Sequence, residues 1–105
     1  MASLNRIVMQ RASRRWIRAL DPEKLDCAEI SGRWGQGLGF RSHRVFRYPR
    51  HDICKGPLAD ADGPVRVDIV LANQVWEHLD RPYAATRHVL ETLRPGGWFW
   101  VAVTF

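Results

Sequence analysis

The chain has 105 residues, 46% of them hydrophobic, a size and composition that fit one small globular domain. No apolar run approaches the ~18 residues that a bilayer crossing needs, and the first sixteen residues lack the apolar centre of a secretory signal. Net charge is +5 and uneven: residues 1–50 hold eleven Lys/Arg against four Asp/Glu, whereas residues 51–105 hold five against seven. A basic half suits nucleic acid, anionic lipid or a solvated face. No aromatic-interleaved RNA-binding pattern or zinc-ligand spacing accompanies it, which favours the solvated face. Cys27 and Cys54 lack metal-type spacing and read as reduced thiols of an intracellular, cytoplasmic protein.

Residues 4–20 read as a basic amphipathic helix, the main feature of a segment 1–22. Leu4, Ile7, Val8, Ala12, Trp16, Ile17 and Leu20 are assigned to one side and Arg6, Arg11, Arg14, Arg15 and Arg18 to the other. Ser3 is a candidate cap, and Asp21-Pro22 ends the helix. The absence of acids before Asp21 also suits a transit peptide, although packing as a helix on the sheet accounts better for the apolar positions. Residues 25–30 form a short strand broken by Ser31-Gly32. Gly35, Gly37 and Gly39 follow without an apolar strand directly before them and read as a flexible loop. Val45, Phe46 and Tyr48 suggest another strand, limited by Pro49. Residues 55–66 are loop; the Asp60/Asp62 pair lacks the further oxygens of a cation loop.

Residues 67–105 are the most legible. Val67, Ile69, Val70 and Leu71 form an apolar run of the length of a buried parallel strand. Asp80, as N-cap, and Pro82 then open a helix whose stripe is Ala85, Thr86, Val89, Leu90 and Leu93. Arg94 falls in its last turn, Pro95-Gly96-Gly97 stops it, and residues 98–105 are a β-branched and aromatic strand. Strand, helix and strand of these lengths make a parallel βαβ unit. An apolar edge strand at residues 98–105 calls for a cover, from a partner or a second copy of the chain, or else the chain is a fragment.

Asp68 leading an apolar strand, then Asn73-Gln74-Val75-Trp76-Glu77-His78-Leu79, a helix and Leu93-Arg94-Pro95-Gly96-Gly97 resemble the second half of the cofactor domain of class I S-adenosylmethionine-dependent methyltransferases. The resemblance, to the methyltransferase type 11 group, covers residues 25–105 and looks C-terminally truncated. It implies a partial Rossmann-like, doubly wound α/β sheet, mostly parallel, of about four strands with flanking helices. It further implies S-adenosylmethionine as cofactor and a small-molecule methyl acceptor.

By the same resemblance Glu29-Ile30 ends the nucleotide-binding strand. Ser31 and Arg33 then stand where the family has its first two glycines, with Gly32 between them and Gly35 in the third place. Asp52-Ile53 corresponds to the acid-plus-apolar pair that holds adenine, at the expense of a shortened or absent helix and strand before it. Asn73 and Gln74 follow the next strand of the crevice. Together with Glu29, Ser31, Gly32, Asp52 and Ile53, these are the implied cofactor-binding residues. His78 is the candidate catalytic base, whereas Gln74 is a poor metal ligand, so no metal is implied. Two other readings stand beside this one: a non-catalytic remnant of the fold serving as an interaction module, and a nicotinamide-dependent oxidoreductase domain.

Overall fold

A computed structural model describes residues 4–103. Helix α1 (Leu4–Arg18) leads through a turn to strand β1 (Asp26–Ile30), followed by β2 (Ser42–Phe46). Two-residue strands β3 (Ala59–Asp60) and β4 (Gly63–Pro64) pair with each other in the next loop. Then come β5 (Val67–Asn73), helix α2 (Pro82–Thr92) and β6 (Leu93–Ala102). The main sheet has the order β2-β1-β5-β6, with every pair parallel. This is the expected Rossmann-like α/β class, with four strands in the main sheet. The proposed cap Ser3 and the end of the last predicted strand, Thr104 and Phe105, lie outside the described residues.

Strand alternation splits the core into two layers. Ala28, Ile30, Val67 and Val70 face Ala85 and Val89 of α2, together with Phe46, Ile53 and Leu58. Cys27, Ile69 and Leu71 face Ile17 of α1 and Leu38. Burial on both faces is why these strands read as apolar runs rather than as alternating patterns. Burial also pushes the Cys27 thiol well above its usual pKa, with the nearby Glu29 charge adding to the effect.

Several local expectations are corrected. On α1, Leu4 and Val8 are 74% and 58% exposed, and Ile7 is also exposed. At 3.6 residues per turn, the side that seats Ile17 takes Ser13, Gln10 and Leu20, which puts Leu4 and Val8 on the far side with the arginines. On α2, Leu90 points to solvent while Thr92 is buried, its hydroxyl donating to His88 O and accepting the Leu58 N–H. Asp80 makes no N-cap: the cap position is Arg81, without a side-chain bond, and Pro82 supplies the preset backbone of the first turn.

The helix ends at Thr92, earlier than Pro95-Gly96-Gly97, because Leu93 is already extended. β6 therefore begins at once, and a register irregularity opposite residues 67–69 absorbs the Pro-Gly-Gly segment. Gly96 has φ +81°, and a Cβ on Gly97 would lie 2.8 Å from the Asp68 carbonyl, so both places demand glycine. Arg94 is thus not a helix-terminal cation. Its guanidinium bonds Asp26 and Asp68 at 2.9 and 3.0 Å, where Arg41 also reaches both carboxylates. Asp68 Oδ2 accepts the Asp26 N–H as well. The Arg41 and Ser42 hydrogen bonds, aided by Arg94, hold the Asp26 carboxyl well below the usual carboxylate range against its desolvation. This ion cluster ties together the amino ends of the strands, away from the cleft described next.

Candidate functional site

The connection from β1 runs to one side of the sheet and β5 lies on the other, so the strand order reverses between β1 and β5. Open α/β sheets bind ligands at the carboxyl ends of strands at such a switch point. A cleft of about 650 Å³ opens there, within the range of small-molecule and cofactor sites. Its floor is Ile30 and Ser31 at the end of β1 and Gln74 and Val75 after β5; its walls are residues 51–55 and 78–81, with Tyr48 at the rim.

Ser31 and Gln74 both adopt left-handed backbone, with φ 56° and 63°. That conformation is uncommon outside glycine and concentrates where local strain serves a site. Each residue also closes its strand: the Ser31 N–H donates to Phe46 O and the Gln74 N–H to Ala102 O, both at 2.8 Å. Strained residues thus cap two adjacent strands at one crevice.

The Asp52-Ile53 loop is fixed from two sides. Asp52 Oδ1 accepts the Cys54 N–H at 3.0 Å, a local turn that aspartate favours. His88 Nδ1, on α2, lies 2.6 Å from the Ile53 carbonyl, for which it must be the donor. His88 falls on the polar side of the helical stripe, yet it is half-buried and anchors the cleft wall. Nothing in the local sequence signals this contact, which spans 35 positions. Cys54, Lys55, His51 and Arg81 also border the cleft without having been singled out. Arg81 alone carried a usable signal, a cation directly before the proline that opens α2 on the cleft side.

Of the residues named from sequence, Ser31, Asp52, Ile53, Gln74 and His78 meet at this cleft. His78 sits exposed at the lip, in a short 3₁₀ turn, Trp76–His78. Glu29, Gly32 and Asn73 stand directly beside it in sequence without lining it. Asn73 Oδ1 is buried and has no hydrogen-bond partner among the described residues.

Glu29 is wholly buried. Its two oxygens accept the Trp34 and Gly35 N–H groups at 2.8 Å, and His43 Nε2 lies 2.9 Å from Oε1. The loop at residues 31–41 therefore folds back over the α1 side of the sheet, where Leu38 enters the core and Trp34 stacks on Trp100 at 4.3 Å. No helix forms in this crossover, which matches the shortening implied by the position of Asp52. Gly37 and Gly39, read as flexible loop, hold φ +91° and +86° in the same segment.

A family model described as methyltransferase domain matches residues 20–101. The chain belongs to the methyltransferase domain family. Among curated proteins and among solved structures no significant match is found. The match spans the whole sheet, both walls of the cleft and the Asp68 and Pro-Gly-Gly segments that carried the resemblance to class I enzymes. Methyl transfer is the activity of this family, and the cleft lies at the switch point where open α/β sheets generally bind ligands. No helix among the described residues is long and apolar enough to cross a membrane.

Proposed function

We propose that this methyltransferase domain binds S-adenosylmethionine in the cleft between the ends of β1 and β5 and takes part in methyl transfer to a small-molecule acceptor. The observation that carries this reading is the pair of left-handed residues, Ser31 and Gln74, capping adjacent strands at the switch point. Cleft volume and the buried Asn73 Oδ1 beside it, unpartnered among the described residues, suit a ligand with both apolar and hydrogen-bonding parts.

When bound, S-adenosylmethionine supplies a methyl group already activated on a sulfonium, so the protein has mainly to orient reactants. Ser31 and Gly32 present backbone at close range, and Glu29 holds the following loop in place from beneath. Asp52 and Ile53 offer an acid beside an apolar surface, the pairing that an adenosine moiety needs. Gln74 lies on the opposite side of the floor, with Asn73 just behind it. His78, on the lip, is placed to take a proton from an acceptor O–H or N–H.

Calorimetric titration of the full chain with S-adenosylmethionine and with its demethylated product tests the reading. Binding should appear for both and weaken about tenfold in Asp52→Ala, the cost of one lost hydrogen bond to a charged group. A folded sample that binds neither would transfer the assignment to the interaction-module reading. Binding of a nicotinamide cofactor instead would transfer it to an oxidoreductase.

A further inference from the structure

The outward face of α1 does not look like an ordinary solvated face. Leu4, Ile7 and Val8 occupy its first half at 74%, 39% and 58% exposure, and Arg11, Arg15 and Arg18 continue the same stripe. The spacing places all six along one side of a helix about 22 Å long. No acidic residue occurs before Asp21, and the ion pairs found among the described residues leave Arg11, Arg15 and Arg18 out. The arginines border a groove of about 420 Å³. The inner side of the helix is already committed: Ile17 is fully buried, and Trp16 meets Trp98 edge-on at 5.1 Å.

We propose that the outward face of α1 docks the protein on an anionic lipid bilayer surface, with Leu4, Ile7 and Val8 entering the acyl boundary and Arg11, Arg15 and Arg18 meeting headgroup phosphates. Charge complementarity and the aliphatic half decide among occupants. A second copy of the chain would set the arginines against arginines or aliphatic side chains, with no acid on either face to pair them. Nucleic acid would satisfy the arginines and leave three aliphatic side chains in water. A bilayer interface accepts both halves at once, the pattern of helices that lie in the membrane plane.

Co-sedimentation of the full chain with phosphatidylcholine vesicles and with vesicles that also contain phosphatidylserine tests this. Binding should require the anionic lipid and fall as salt rises. Each basic side chain at such a surface is worth roughly fivefold in affinity, so Arg11→Gln/Arg15→Gln/Arg18→Gln should bind about a hundredfold more weakly. Val8→Ser should also lose affinity, while Val8→Leu keeps it and shows that the helix still forms. Arg15→Gln alone should cost about fivefold, whereas Arg87→Gln, the same charge change on α2 across the sheet, should bind like the unaltered chain. Absence of binding to anionic vesicles overturns the proposal. So does an equal loss in Arg87→Gln, or tight salt-sensitive binding to RNA or DNA with none to vesicles.

Discussion

The buried carboxylate of Glu29 accepts the Gly35 N–H at 2.8 Å, and this bond decides where the glycine-rich segment lies. With the Trp34 N–H on the other oxygen, it draws residues 33–38 onto the α1 side of the sheet, so that of residues 31–41 Ser31 lines the cleft. Glu29→Ala would strand two backbone donors in the interior. A cost on the order of 3 kcal/mol is expected in urea unfolding. Glu29→Gln should cost less, since it keeps one acceptor. Gly35→Ala should be destabilising too, because a Cβ there runs into Leu71 Cδ1. Unaltered unfolding midpoints in Glu29→Ala would show that the loop is held by other means.

His88 connects helix α2 to the cleft wall through the Ile53 carbonyl. His88→Ala should loosen residues 52–54 and weaken cofactor binding several-fold, with only about 1 kcal/mol lost from global stability. Calorimetry on the variant separates the two effects. Equal affinity with reduced stability would make the contact purely architectural.

Much of the fold was open to reading because its signals are local. The apolar run at 67–71, Pro82 at a first helical turn and the left-handed turn at Gly96 each act within a few residues. The βαβ unit followed from them. Ser31, Asp52, Ile53, Gln74 and His78 came instead from the resemblance to class I methyltransferases, whose motifs fall on the loops at successive strand ends. What escaped notice depends on contacts between distant segments. Glu29 looks like any acid at a strand end until Trp34, Gly35 and His43 close around it. His88 looks exposed until the shortened crossover brings Ile53 beneath it. For α1, counting apolar residues overstated the packed face, because Leu4 and Val8 fall opposite Ile17 once the true helical phase is fixed.

Asp26 makes acid stability testable with a definite sign. Arg41, Ser42 and Arg94 lower its pKa in the folded state relative to the ordinary 3.8. A lowered carboxyl pKa contributes stability that is fully present above the unfolded value and is lost as pH falls through the folded one. Stability should therefore decline below about pH 4 in the unaltered chain. In Asp26→Asn that decline should be shallower and the neutral-pH stability lower, as read by thermal unfolding across pH. Parallel curves for the two proteins would remove Asp26 from the account.

Trp34 provides a case where deletion and conservative replacement should diverge. Its ring stacks on Trp100 at 4.3 Å with planes 5° apart, and Arg14 Cζ lies 5.6 Å from its centroid. Its Nε1–H is nonetheless buried with no partner among the described residues. Trp34→Phe keeps an aromatic face on Trp100 and removes that donor, so it should change stability by less than about 1 kcal/mol. Trp34→Ala loses the stack and opens the layer between α1 and the sheet, at a cost of roughly 3 kcal/mol.

Thr92 is the residue through which α2 governs the loop ahead of β5. Its buried hydroxyl accepts the Leu58 N–H at 3.1 Å and donates to the His88 carbonyl at 3.0 Å. Thr92→Val matches the shape but offers no acceptor, leaving the Leu58 N–H buried and unpaired, which costs about 1–3 kcal/mol. Thr92→Ser keeps the hydroxyl and loses one buried methyl, about 1 kcal/mol. Urea unfolding should therefore rank Ser above Val at this position, the reverse of what burial alone would give. If valine proves the more stable, the Leu58 N–H has found another acceptor, and amide hydrogen exchange at Leu58 would show it still protected.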